Sequence, residues 1–267
     1  MQNVYAFIWG TAIAILGGLI GLGGAEFRLP VLVGIFKYRT LPAVVINLAI
    51  SLVTVTFSLI FRTGLGNLHS IIANSAIILN LLAGSLIGAY IGVSFATRID
   101  EHGLTRVVVV LLFVLSFVML GHDLPTGLHH LQLTVPFQIT VGFLAGITIG
   151  IFSSMLGVAG GELIIPTIVL VFSTDIKLAG SLSLAISIPT IIMGLARYQR
   201  QRKLSEIRTS SGFIVWMAIG SIVGALIGSY LLQFVSGSLL YILLGLVLLV
   251  SALKLMTRHR AHTTVPT

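Results

Sequence analysis

Gly21-Leu22-Gly23-Gly24-Ala25-Glu26-Phe27-Arg28-Leu29-Pro30 returns 136 residues later as Gly157-Val158-Ala159-Gly160-Gly161-Glu162-Leu163-Ile164-Ile165-Pro166. Each copy is a glycine-rich break between apolar runs, with one carboxylate and a closing proline. Sliding the chain on itself by 136 residues aligns 18–92 with 154–228 without a gap, and 23 of the 75 positions are identical. The identities cluster. Leu48-Ala49-Ile50-Ser51 falls on Leu184-Ala185-Ile186-Ser187, and Gly84, Ser85, Gly88, Ala89 and Gly92 fall on Gly220, Ser221, Gly224, Ala225 and Gly228. Shared apolar bias does not produce such clusters, so the chain reads as two homologous halves. The first repeat is placed at 1–121 with its broken segment at 21–36, and a central loop at 122–134. The second is placed at 135–257 with its broken segment at 157–173, followed by a tail at 258–267.

The sequence around the breaks is built for lipid. Of 267 residues, 57% are hydrophobic and 8% charged, and the mean hydropathy is +1.12. Soluble domains carry about 25% charged residues. This excludes an ordinary soluble enzyme and a disordered regulator, and the absence of cysteine excludes a disulfide scaffold and thiolate chemistry. Crossing about 30 Å of hydrocarbon takes roughly 20 apolar residues. Such runs lie near 4–22, 42–61, 71–96, 104–121, 135–157, 178–196, 211–232 and 236–256. Two shorter ones, 27–36 and 163–173, follow the glycine breaks; as helices they rise only about 15 Å, half a membrane. Met1-Gln2-Asn3 has no basic flank, so the first run does not read as a cleaved signal. The fold class is an all-α polytopic integral membrane protein.

Lys and Arg favour the cytoplasmic side. If 4–36 and 135–173 each enter and return on one side, each half crosses an odd number of times and the halves are inverted. Twelve basic residues (Lys37, Arg39, Arg98, Arg106, Arg197, Arg200, Arg202, Lys203, Arg208, Lys254, Arg258 and Arg260) then lie inside, and two, Arg62 and Lys177, outside. Four simple crossings per half split them 9 to 5. Inversion fits better and puts both termini in the cytoplasm. The net charge of +8 is then a cytoplasmic rim, not a nucleic-acid surface.

Non-helical backbone survives inside a membrane only where protein buries it or it lines a wet cavity. Matching breaks in two repeats therefore point to a transporter's substrate site. The N–H groups freed at Gly23, Gly24, Gly160 and Gly161, with the positive ends of the helices that follow, favour an anion. Close helix packing is the plainer reading of the same glycines. Glu26 and Glu162 are repeat mates and the carboxylates deepest in apolar sequence. An unpaired carboxylate there costs several kcal/mol or takes up a proton. They suit a proton-coupling pair; capping of their own short helices is compatible with that role. Arg28, whose mate is Ile164, breaks the symmetry. Its forked donor could hold an anionic substrate, pair with Glu26, or snorkel to an interface.

On the helices after the breaks, Asn47, Ser51 and Thr54 match Ser183, Ser187 and Thr190, at spacings that share one face. Asn47, Ser51, Ser183 and Ser187 are candidate substrate contacts, with hydrogen bonding between helices as the plainer alternative. The glycine triplets at 84, 88 and 92, at 220, 224 and 228, and at 142, 146 and 150 read as packing seams. His122, Asp123, His129 and His130 in the central loop give little reason for a metal site, and none is assigned. No phosphate-binding G-x4-G-K-[ST], H-E-x-x-H or G-x-S-x-G motif is present, so the chain reads as a binder that breaks no bonds and needs no cofactor.

A glycine run followed by proline and an apolar stretch, given twice and each time followed by an Ala/Ser-rich helix, resembles the TauE/SafE sulfite exporter family. The matching residues are Gly21, Gly23, Gly24 and Pro30, then Gly157, Gly160, Gly161 and Pro166, with the G-S-x-x-G-A-x-x-G seams and the basic loop 197–208. The resemblance spans nearly the whole chain. It implies a multi-pass inner-membrane secondary transporter for sulfite or organosulfonates. Its partners would be lipid and a small anion, in a monomer or a homo-oligomer. Proton coupling is the expectation from the two carboxylates, with sodium, which Glu and unwound carbonyls would coordinate, as the alternative ion. Two other readings stay open, a passive anion or small-solute channel and a non-transporting membrane assembly partner.

Overall fold

The computed structural model of the chain describes residues 2–95, 101–121, 134–156, 158–200 and 211–262, and these contain no strand. In order they form α1 (Gln2–Ile20), α2 (Ala25–Pro30, continued by a π-helical turn, Val31–Ile35), α3 (Thr40–Arg62), α4 (Leu68–Ala73), α5 (Ser75–Phe95) and α6 (Glu101–Leu120). They continue as α7 (Val135–Leu156), α8 (Gly161–Phe172), α9 (Ile176–Arg200), α10 (Ser211–Leu231) and α11 (Gly237–His262). Ala25, Thr40, Ser75 and Glu101 each open a helix, and so do Gly161, Ile176, Ser211 and Gly237, each 136 residues further on. Six of the described helices are long and apolar enough to cross a membrane: α1, α5, α7, α9, α10 and α3 from Pro42. Large apolar side chains such as Leu79, Phe117, Val135 and Trp216 cover the outside, which lipid tails tolerate and water does not.

Glycine brings the helices together in two matching pairs. A Cβ on Gly220, Gly224 or Gly228 of α10 would strike the carbonyl oxygens of Phe7, Thr11 and Ile15 on α1. A Cβ on Gly84, Gly88 or Gly92 of α5 would likewise strike the carbonyl oxygens of Phe143, Ile147 and Ile151 on α7. Rising numbers meet rising numbers, so both pairs run parallel, and the 136-residue offset carries one pair onto the other. Backbones this close make many weak dispersion contacts that larger side chains would forbid. The seams expected from the glycine spacing are therefore packing surfaces.

α1 and α2 form a hairpin that leaves at the end where it entered. Gly24 lies against Ile13, and Gly17 against Gly23 and Gly24. Beyond the π turn, Phe36 packs edge-on to Phe213 at the start of α10, with ring centroids 4.6 Å apart. Phe213 lies one helical turn before Met217, whose carbonyl abuts Gly10 near the start of α1. α7 and α8 repeat this: the Phe172 ring, at the end of α8, lies against Gly142 near the start of α7. Two boundaries differ from the sequence reading. The run expected at 71–96 is divided at Asn74, whose side chain donates to the Ser70 carbonyl at 2.8 Å and competes with the helix ladder. α11 continues to His262, so part of the expected tail at 258–267 is helical. The central loop, including His122, Asp123, His129 and His130, and the basic residues Arg98, Arg202, Lys203 and Arg208 lie outside the described residues.

Candidate functional site

The two breaks meet back to back inside the bundle. Gly21, Gly23, Gly24 and Gly160 have φ of +99°, +81°, +72° and +77°, a region that only glycine enters cheaply. Gly24 and Gly160 are the residues from which α2 and α8 start. A Cβ on Gly161 would stand 2.9 Å from the Leu22 Cα and 3.2 Å from the Gly21 carbonyl oxygen, and one on Gly23 would stand 3.4 Å from the Ala159 Cβ. The first turns of two short helices, one from each half, thus begin beside the same point. Pro30 and Pro166 have no N–H for the carbonyls of Glu26 and Glu162 four residues earlier, which leaves both without the usual helical donor.

Glu26 and Glu162, second residues of α2 and α8, are 9% and 6% exposed. Both carboxyl oxygens of Glu26, and Oε2 of Glu162, are buried without a hydrogen-bond partner; Ser251 on α11 is a hydrogen-bonding neighbour of Glu162. The two carboxyl groups are near enough for their charges to repel, and Arg28 is near enough to Glu26 to attract it. Arg28 is fully buried, so it does not snorkel. It donates through Nη1 to Ser51 Oγ at 2.9 Å, and through Nη2 to Thr54 Oγ1 at 3.0 Å and the Gly23 carbonyl at 3.4 Å. Its Nε has no partner. Asn47 donates to the Ala25 carbonyl at 3.0 Å, Ser183 to Gly21 at 3.2 Å and Ser187 to Ala159 at 2.9 Å. All the residues expected at the site are therefore gathered around the breaks. Three of the four candidate polar contacts on α3 and α9 hold the broken backbone directly.

Arg62 escapes a reading of the sequence. It looks like an external basic residue just past an apolar run, yet it is the last residue of α3 and fully buried. Its guanidinium makes five hydrogen bonds: two to the Gly18 carbonyl (3.2 and 2.8 Å), and one each to Leu19 (2.9 Å), Lys177 (3.4 Å) and Ser181 Oγ (3.1 Å). Gly18 and Leu19 lie in the last turn of α1, where carbonyls lack helical donors and the helix end is partially negative. The mate of Arg62 is Tyr198, whose hydroxyl donates at 3.0 Å to the carbonyl of Ser154, the mate of Gly18. The available signal was the spacing of Ser51, Thr54, Ser58 and Arg62 along one helical face. Beside Arg62, a cavity of about 530 Å³ is lined by Ser70, Asp175, Lys177, Leu178, Ser229, Leu232 and Gln233. Asp175 is occupied there, accepting from the backbone N–H groups of Lys177 and Leu178 at 2.9 and 3.3 Å.

The sulfite exporter TauE/SafE family model matches residues 1–119 and 141–267. The chain belongs to that family. As a TauE/SafE protein it is a multi-pass membrane transporter for a sulfur-containing anion and not an enzyme. No curated protein and no solved structure matches the chain. In this TauE/SafE protein the paired breaks bring two buried carboxyl groups and a buried guanidinium to the point where the two short helices begin.

Proposed function

We propose that this TauE/SafE protein is a proton-coupled secondary transporter of sulfite or small organosulfonates. It works by alternating access between two inverted repeats in the cell inner membrane, with both termini in the cytoplasm. The anion is held at the double break by Arg28, by the N–H groups at Gly23, Gly24, Gly160 and Gly161, and by Asn47, Ser51, Ser183 and Ser187. Glu26 and Glu162 carry the protons. One observation carries the reading: two repeat-related carboxyl groups are buried close together where two broken helices begin, and one of them lies beside a buried guanidinium. Intramembrane ionisable groups are costly and mark pathways and proton relays. The hairpins α1–α2 and α7–α8, which return to their own end, support an odd number of crossings per repeat and hence inversion.

Purified protein in proteoliposomes tests this. A proton gradient is expected to drive sulfite accumulation by the parent. Glu26→Gln and Glu162→Gln should lose the response to the gradient while keeping sulfite counterflow. Unchanged gradient dependence in both variants would overturn the coupling role.

A further inference from the structure

One hydrogen bond between the two halves lacks its repeat-related counterpart. Ser85 on α5 and Thr190 on α9 share a hydrogen bond of 2.8 Å. The 136-residue offset places Ser221 of α10 and Thr54 of α3 at the matching positions, on helices that also pack together. There Thr54 accepts from Arg28 instead, and the Ser221 hydroxyl is left fully buried with no partner. One turn further along α3, the Ser58 hydroxyl is also fully buried and without a partner. It faces Gly18 of α1, 3.3 Å from where a Cβ would stand. Buried hydroxyls almost always find a partner, so two orphans on one seam need an explanation.

These orphans lie in a file. Ser51, Thr54, Ser58 and Arg62 share one face of α3, and all four are fully buried. On α10, Ser221 and Ser229 are two turns apart with small Ala225 between them, and Ser229 donates to the Ser58 carbonyl at 3.4 Å. Ser229 is also part of the wall of the cavity beside Arg62. The file runs from Arg28 at the double break to that cavity, where Lys177 stands. The repeat-related file along α9 and α5 is interrupted, because the mates of Ser58 and Arg62 are Gly194 and Tyr198.

We propose that Ser58 and Ser221 are contact residues for the transported oxyanion, on a one-sided path along the α3–α10 seam between Arg28 and the cavity at Lys177. This rests on Arg28 as the anion's central holder. Neutral hydroxyl donors suit a step between two cationic stations, since they replace hydration without trapping the ion. The orphan hydroxyls are then donors kept free for a passing sulfonate or sulfite oxygen.

The chain has no cysteine, so Ser58→Cys, Ser221→Cys and the control Gly194→Cys each carry a single thiol. Each variant in proteoliposomes is treated with anionic sulfonatoethyl methanethiosulfonate and with its cationic trimethylammonium analogue, rates being normalised to a free thiol. Methanesulfonate serves as the competing anion. At Ser58→Cys and Ser221→Cys we expect at least a tenfold preference for the anionic reagent and at least fivefold slowing by methanesulfonate. Gly194→Cys should show neither. Unreactive or charge-indifferent thiols at positions 58 and 221, in variants that melt like a parent that still moves sulfite, would overturn the path and leave the transporter reading standing. Anion-selective labelling blocked by a carboxylate but not by methanesulfonate, with a parent that moves no sulfur anion, would uphold the path and overturn the cargo.

Discussion

Arg28 and Arg62 are both fully buried guanidiniums, and their hydrogen bonds separate their roles. Arg62 makes five and joins the last turn of α1 to the first turns of α9, so nothing of it is left for a ligand. Arg28 rests on two hydroxyls and one long carbonyl contact, with Nε unused, and these are partners an oxyanion can displace. A hydrogen bond from a charged donor contributes about 1.5–3 kcal/mol, against about 1 kcal/mol for a neutral one. Arg62→Met, which leaves buried carbonyls without donors, should therefore destabilise the protein by about 3 kcal/mol in detergent unfolding, and Tyr198→Phe by about 1 kcal/mol. Equal, small losses in both would show that Arg62 is no clamp.

At the scale of the element, the glycine seams hold α1 on α10 and α5 on α7. Gly88 abuts the Ile147 carbonyl, which is backbone and cannot swing away, whereas Gly34 has nothing within 4 Å of a Cβ position. Gly88→Leu should cost at least about 2 kcal/mol through overpacking. Gly34→Ala should leave the melting temperature within a degree or two. A melting temperature unchanged in Gly88→Leu would contradict the seam. The spans, the breaks and the seams were legible because each has a local signature: apolar length, glycine followed by proline, and small residues every fourth position. The burial of Arg62 was not, because its partners are carbonyls of α1 and α9, far away in sequence. Hydropathy treats an arginine at the end of an apolar run as a membrane-edge marker. The unpaired Ser221 was hidden for a similar reason, since the engagement of Thr54 by Arg28 is a tertiary contact.

For the whole molecule, parallel contacts between α1 and α10 and between α5 and α7 tie each half to the other, and the breaks meet between them. The proposed alternating access requires one set of helices to rock against the other around the proposed central site. The proposed topology predicts that, in intact cells, a membrane-impermeant thiol reagent labels Lys177→Cys, whereas exposed Lys37→Cys reacts only after lysis. Labelling of Lys37→Cys from outside would reverse the orientation.

On the proposed function, a sulfur oxyanion binds where the two breaks meet. Thermal unfolding of the purified protein with sulfite, sulfoacetate, sulfate and matched carboxylates tests it most directly. A ligand at 100 times its dissociation constant stabilises by about 2.7 kcal/mol. A clear rise in melting temperature is expected with sulfite or sulfoacetate, one that the carboxylates do not match and that Arg28→Ala abolishes. An undiminished rise in Arg28→Ala, or a rise with carboxylates alone, would contradict it.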